Sequence, residues 1–260
     1  MLASMRQERI RQLVEERGGV RVADVAVELG VSDMTVRRDI AALARRGLVA
    51  RVHGGATATD GRSAEEPGFA VKSTLQLPEK AAIAAAAIAL ISPGDSVAIS
   101  AGTTTHAVAR CLRDHADLTV VTNSLPVAQE LHDGSRVDRT VLLTGGVRTP
   151  SDALVGPVAV AALHRLHVDW LFLGVHGIDE RCGLTTPNLV EADTDRALVA
   201  AARRVVVVAD SSKWGVVGLA TIVDLEEVDV LVTDDGLPED ARKVVQDRMG
   251  RLVIAPRVPA

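Results

Sequence analysis

In the stretch from Asp95 to Leu112, DSVAISAGTTTHAVARCL, an apolar run gives way to Gly102-Thr103-Thr104-Thr105 and then to a helical pattern. A glycine lets backbone approach a ligand closely, and threonine hydroxyls donate hydrogen bonds. The first amides of a helix favour an anion. Residue types in this order suit the holding of a phosphate. Four more polar turns follow apolar runs: Thr122-Asn123-Ser124, Thr144-Gly145-Gly146, His176-Gly177-Ile178-Asp179 and Asp210-Ser211-Ser212-Lys213. One Gly-Thr turn is weak evidence, because ordinary turns and helix caps use the same residues. Several at one sheet edge, with a lysine among them, make a stronger case. The candidate ligand contacts are Gly102, Thr103, Thr104, Thr105, Asn123, Ser124, Gly145, Gly146, His176, Asp179 and Lys213. No GxGxxG follows the first apolar run and no GxxxxGK[ST] occurs, so neither a dinucleotide nor ATP is expected, and no cofactor.

These turns need a scaffold, and the sequence supplies one. Apolar runs SVAIS, LTVVT, RTVLLT, DWLFLGV, RVVVVAD, VDVLVT and RLVIA alternate with helical stretches such as TTHAVARCL, SLPVAQEL, PVAVAALHRL and EADTDRALVAAA. Near-continuous apolar strands alternating with helices imply an α/β fold, a Rossmann-like and mostly parallel sheet with helices on both faces. Ligands of such sheets bind where strands end and helices begin. The 260 residues are 47% hydrophobic but only 2% aromatic, so the core must rest on Val, Ala, Leu and Ile. The longest apolar run, Ala81 to Ile91, is about half of the roughly 20 residues that a membrane span needs. With no signal-peptide pattern and two cysteines, Cys111 and Cys182, outside any CxxC spacing, a cytoplasmic protein with reduced thiols and no metal site is expected.

The N-terminus follows other rules. Residues 1–57 hold ten arginines against seven acids, a charge of +3 on a chain whose net charge is −5. A small basic head on an acidic body points to a polyanion as the head's partner. Ile10, Leu13 and Val14 mark one helix; Val22, Val25, Ala26 and Leu29 mark a second, stopped by Gly30; Ser32 caps a third, DMTVRRDIAALARRG. Two short helices joined by a Gly-containing turn form a DNA-reading motif. On the third helix Val36, Ile40 and Leu43 share the buried face, Asp39 turns back to pair with an arginine, and Met34, Arg38, Ala41 and Arg45 project outward beside Thr35 and Arg37. The segment LVARVHGGATA then reads as a hairpin wing, with Leu48, Ala50 and Val52 alternating against Val49, Arg51 and His53. The candidate contacts to double-stranded DNA are Ser32, Met34, Thr35, Arg37, Arg38, Ala41, Arg45, Arg51, His53 and Gly54. A winged helix-turn-helix over 1–57, a linker over 58–74 that includes the small polar run TATDGRSAEE, and a larger domain over 75–257 complete the expected layout.

The run VSDMTVRRDIAALARRGLVARVHGGA, with Ser-x-x-Thr-x-Arg-Arg-Asp at Ser32–Asp39 and Arg-Val-His-Gly-Gly-Ala at Arg51–Ala56, resembles the DeoR family of bacterial transcriptional regulators, and the resemblance extends to about residue 255. It implies a repressor of carbohydrate catabolic genes, a homodimer or homotetramer on paired half-sites. It also implies a sensor domain similar in fold to ribose-5-phosphate isomerase that holds a small phosphorylated sugar, its phosphate at Gly102–Thr105. His176-Gly177-Ile178-Asp179-Glu180 stands where those isomerases carry Asp-Gly-Ala-Asp-Glu, and CGLTTPNLVE replaces their Lys-Gly-Gly-Gly loop. Glu191 and Lys213 match the later Glu and Lys, which adds Glu191 to the effector candidates. The set implies a sensor rather than an enzyme. An isomerase that also binds DNA, and a sensor answering to a partner protein, are the alternatives. Where the family commonly has Leu-Asp-Ser-Gly-Thr-Thr this chain has Ile99-Ser100-Ala101-Gly102-Thr103-Thr104, and His176 stands where many members have Asp. Two carboxylates fewer on a pocket rim would favour a more anionic ligand.

Overall fold

A computed structural model of the chain describes residues 3–17, 19–46, 48–52, 55–57, 69–132 and 138–256. The chain divides into two compact units, Met1–Ser63 and Ala64–Ala260.

The first unit is built from α1 (Ala3–Arg17), β1 (Gly19–Arg21), α2 (Val22–Leu29), α3 (Asp33–Arg45), β2 (Ala50–Val52) and β3 (Gly55–Thr57). Gly30 ends α2 with φ +63°, a left-handed cap open to glycine at little cost. Ser32 opens α3, its hydroxyl accepting from the Thr35 amide at 3.3 Å. Ile10, Val14, Val22, Val25, Ala26, Val36, Ile40 and Leu43 from the three helices pack with Val49 and Ala56 from the wing in one apolar cluster. The wing differs from expectation in two ways. It has three antiparallel strands in the order β1-β3-β2, because Gly19–Arg21 pairs with β3. A side chain on Gly55 would meet the Val20 carbonyl oxygen at 2.0 Å, so that pairing requires glycine there. The start of the wing also differs: Val49 is buried and Leu48 is exposed, because both precede the strand, which begins at Ala50, and strand alternation does not reach them.

The second unit begins with α4 (Phe69–Lys72) and α5 (Leu77–Ile88). It continues through β4 (Ser96–Ile99), α6 (Thr103–Cys111), β5 (Leu118–Thr122), α7 (Leu125–Leu131) and β6 (Arg139–Leu143). Next come β7 (Val147–Arg148), β8 (Leu154–Val155), α8 (Pro157–Leu163), β9 (Val168–Leu173), β10 (Gly177–Asp179), β11 (Gly183–Thr186) and α9 (Leu189–Ala201). The last elements are β12 (Ala202–Val208), β13 (Ala220–Val223), β14 (Val230–Thr233), α10 (Glu239–Arg248) and β15 (Arg251–Ile254).

Seven strands form one sheet in the order β15-β14-β12-β9-β4-β5-β6, and every neighbouring pair is parallel. One face carries Ala98, Val121, Leu171 and Val207, packed against Leu163, Leu198 and Val245 of α8, α9 and α10. The other carries Val97, Ile99, Val120, Phe172 and Val206, packed against Ile83, Val108 and Val127 of α5, α6 and α7. Burial on both faces explains the unbroken apolar runs. Two features lie outside that reading. The β7–β8 hairpin and a second, antiparallel sheet in the order β10-β11-β13 project from the main layer. Gly177-Ile178-Asp179, expected as a loop, is therefore strand β10. Among the described residues no helix is long and apolar enough to cross a membrane.

Candidate functional site

In the head, α3 presents its polar face away from the cluster that holds it. Met34 is 73% exposed, Arg37 and Arg38 are exposed, and Thr35 and Ala41 are partly so. The hydroxyl of Ser32 is 2.9 Å from that of Thr35 and also caps the helix, so Ser32 orients the first turn. Asp39, only 4% exposed, accepts from Arg6 Nε at 2.5 Å and from Gln7 Nε2 at 3.1 Å, which ties α1 to the recognition helix. Arg51 lies on β2 and Arg45 closes α3. Their side chains, and residues His53 and Gly54 entirely, lie outside the described residues.

In the second unit the sheet order itself marks a place. From β4 the chain moves outward through β5 to β6, then crosses back to β9 on the opposite side and continues to β12, β14 and β15. The reversal lies between β4 and β9, and crevices at such switch points hold ligands in open parallel sheets. There the turn after β4 meets the turn after β9: the Gly174 amide donates to Ser100 Oγ at 2.9 Å, and a side chain on Gly174 would press on Thr105 and Ala101.

Gly102 is the N-cap of α6 and supplies no side-chain bond to its first turn. Gly156 caps α8 in the same way, whereas Ser124 caps α7 through Val127 and Asn188 caps α9 through Val190 and Glu191. The start of α6 thus has no side-chain cap from its N-cap residue, and Gly102 and Thr103 are partly exposed beside the buried Thr104. His176 closes the β9 side and Lys213 stands on a short 3-10 turn, Ser211–Lys213, after β12.

Several expected contacts do something else. Thr105 is fully buried and its hydroxyl donates to the Gly102 carbonyl at 3.0 Å. Asn123 is 1% exposed; its Oδ1 accepts from the Ala101 amide at 2.9 Å while its carbonyl accepts from Leu154 at 2.6 Å. Ser124 is spent on its cap. The bonded atoms of these three side chains are thus engaged within the protein around the turn after β4. Gly145 and Gly146 lie two strands away, after β6. A side chain on Gly146 would meet the Val155 carbonyl oxygen at 2.6 Å, so it serves the β7–β8 hairpin.

The Asp179 Oδ1 accepts from the amides of Arg181 and Cys182, both at 2.9 Å, closing the β10–β11 turn. Burial pushes its carboxyl up, yet those backbone amides hold it below the usual Asp range. Ser100 is fully buried, its hydroxyl accepting from the Gly174 amide, and His176 is buried as well.

Glu191, buried in the first turn of α9, accepts from Thr149 Oγ1 at 2.7 Å and Ser151 Oγ at 2.5 Å. An oxygen already taking two hydroxyl bonds is ill placed to remove a substrate proton. Thr149 and Ser151 carry no sequence signal beyond a polar turn. Lys80 carries no such signal either, although it is the one basic residue in the Ala-rich α5, directly after Glu79. It is 6% exposed, and burial pushes its ammonium down to about 8, against the raising effect of Asp210 and with the lowering effect of Lys213.

One consequence is testable without a ligand. Asn123→Ala should destabilise the protein by about 1–3 kcal/mol, because the Ala101 amide loses its buried acceptor. Urea unfolding at unchanged m-value would measure this, and unaltered stability would return Asn123 to a purely ligand-directed role.

The sequence matches the DeoR-like helix-turn-helix domain over residues 6–62 and the DeoR C terminal sensor domain over residues 75–235. It is 38% identical to the putative aga operon transcriptional repressor of Escherichia coli O157:H7, over 92% of this chain and 88% of that protein. It is 39% identical to the HTH-type transcriptional regulator GlpR of Haloferax volcanii, over 95% of each. With the HTH-type transcriptional repressor CsqR of Escherichia coli K12 the identity is 32%, over 96% of this chain and 94% of that one. Among solved structures, a ribose 5-phosphate isomerase A of Methanocaldococcus jannaschii aligns with 52% of this chain and 53% of its own at a TM-score of 0.37 and 16% identity. These near-full-length relatives are all named as transcriptional regulators or repressors. With both domain matches and these relatives spanning nearly its whole length, the chain belongs to the DeoR family of DNA-binding transcriptional regulators.

Proposed function

We propose that this protein is a cytoplasmic repressor of carbohydrate catabolic genes whose affinity for operator DNA is set by a phosphorylated sugar bound at the β4–β9 switch point. The observation that carries the effector half is α6, which begins at a topological switch point with a glycine cap that makes no side-chain bond to the first turn. Lys213 adds a cation, Thr103 and Thr104 add hydroxyls, and Glu191 would accept from sugar hydroxyls in exchange for the bonds it now takes from Thr149 and Ser151. For the DNA half, Met34, Arg37, Arg38 and Ala41 face the bases, with Thr35, Arg45, Arg51, His53 and Gly54 nearer phosphate. Two relatives are named as repressors. A single head offers few contacts, so a homodimer or homotetramer on paired half-sites is the working assembly. The ligand acts by preferring one arrangement of that assembly.

The test is thermal unfolding of the full chain against a panel of phosphorylated sugars and their unphosphorylated parents. A true effector at 100 times its dissociation constant stabilises by about 2.7 kcal/mol, and its parent sugar leaves the transition in place. No shift with any phosphorylated compound refutes the effector half while leaving the DNA-binding half intact. Stabilisation only by a protein from the same cell would favour the partner-protein alternative.

A further inference from the structure

The first described residues of the sensor unit, Phe69 to Gln76, are gripped by three separate parts of the effector edge. The Phe69 ring stands edge-on to His106, with centroids 5.6 Å apart and planes at 85°. His106 belongs to the first turn of α6, where its amide donates to the Gly102 carbonyl at 3.0 Å, and its Nε2 lies 3.3 Å from Glu130 on α7. The Phe69 amide donates to the Pro150 carbonyl at 3.4 Å. Pro150 sits between Thr149 and Ser151, the two hydroxyls that hold Glu191. The third grip is Lys80, whose Nζ donates to the carbonyls of Lys72 and Leu75, both at 2.7 Å. That same ammonium feels Asp210 and Lys213 of the turn after β12.

We propose that Phe69–Gln76 is the strap through which occupancy of the effector edge reaches the chain leading to the DNA-binding head. This rests on the effector reading above and deepens it by naming the route of regulation. Each grip originates beside a group assigned to the ligand: the start of α6, Glu191, and Lys213. A phosphate dianion at α6 and Lys213 changes the field at Lys80 and the footing of His106 together.

The strap itself is suited to yield. Its one helix, α4, has four residues, too short to be stable alone. It ends at Gln76 with φ +52°, a left-handed conformation that a residue with a side chain adopts only when its surroundings enforce it. The surroundings here include the Lys80 ammonium, which fixes the carbonyl just before that kink. Because the strap precedes the sensor core in sequence, a change in its order is passed directly along the backbone toward residues 58–68.

Hydrogen exchange of the full chain with and without ribose 5-phosphate, using inorganic phosphate as the minimal probe, tests this. Amides of 69–76 should slow by about threefold or more with ribose 5-phosphate, together with those of 102–106 and 210–213. In Phe69→Leu, ribose 5-phosphate should still protect 102–106, while its effect on affinity for DNA selected from a random pool falls by about fivefold or more. Protection of 102–106 and 210–213 with 69–76 unchanged overturns the strap and leaves the effector reading standing. A full DNA response in Phe69→Leu overturns the strap as well. Absence of protection at all three segments with ribose 5-phosphate, inorganic phosphate and every phosphorylated sugar of the thermal panel overturns the effector reading and the strap with it.

Discussion

Arg38→Ala should weaken operator binding by about 1–3 kcal/mol and relax the preference at one base position. Arg38 is exposed on the outward face of α3, close to Met34 and Ala41, and its neighbours on the opposite face, Val36 and Ile40, are buried and fix the helix in place. A guanidinium so placed can donate two parallel hydrogen bonds to one guanine edge. Lysine keeps the charge but not the fork, so Arg38→Lys should recover only part of the loss if a base is being read. Equilibrium binding to the selected operator and its single-base variants, at fixed salt, separates the possibilities. Equal weakening on every variant, with a shallower salt dependence, would move Arg38 from base reading to phosphate contact.

The second large effect is on the head itself. Asp39→Ala removes the carboxylate that receives Arg6 and Gln7 from α1, and leaves Arg6, whose side chain is 13% exposed, without that counter-charge. Breaking one side of a largely buried pair costs about 3 kcal/mol or more. Against a total stability of about 5–15 kcal/mol for an ordinary domain, that is a large fraction. Exchange of amides in α1 and α3 should accelerate by roughly two orders of magnitude, corresponding to about 3 kcal/mol, while those of the seven-stranded sheet stay unchanged. Asp39→Asn, which keeps the shape, should fall between the two. Wild-type exchange in Asp39→Ala would mean that Arg6 swings to solvent and that the pair contributes nothing. Although Asp39 lies on the recognition helix, its expected influence on DNA affinity runs through the folded fraction of the head, not through a base.

Local rules were sufficient where one residue's neighbours in sequence decide its role. Gly30, Ser32 and the spacing of Val36, Ile40 and Leu43 define the helix-turn-helix because caps and helical periodicity act over three or four residues. The seven parallel strands were legible because burial on both faces leaves an unbroken apolar run. The small antiparallel sheet was not: Gly177–Asp179, Gly183–Thr186 and Ala220–Val223 are short and rich in Gly and Thr, and the last is far from its partner in sequence.

The candidate site divides the same way. That Gly102, Thr103 and Thr104 stand at a helix start, and that a lysine follows a later strand, follows from the residues alone. Which polar side chains are taken up by bonds within the protein was decided by tertiary structure, because Asn123, Ser124, Thr105 and Asp179 have the same hydrogen-bonding chemistry toward a ligand or toward the backbone. Only the sheet order could separate them, by bringing the end of β4 beside the end of β9 and leaving buried amides nearby to be satisfied. Lys80 makes the same point from the other side. Its amine is worth noticing only once the fold has carried Lys72, Leu75 and Asp210 to it, and no pattern within the sequence of α5 encodes that meeting.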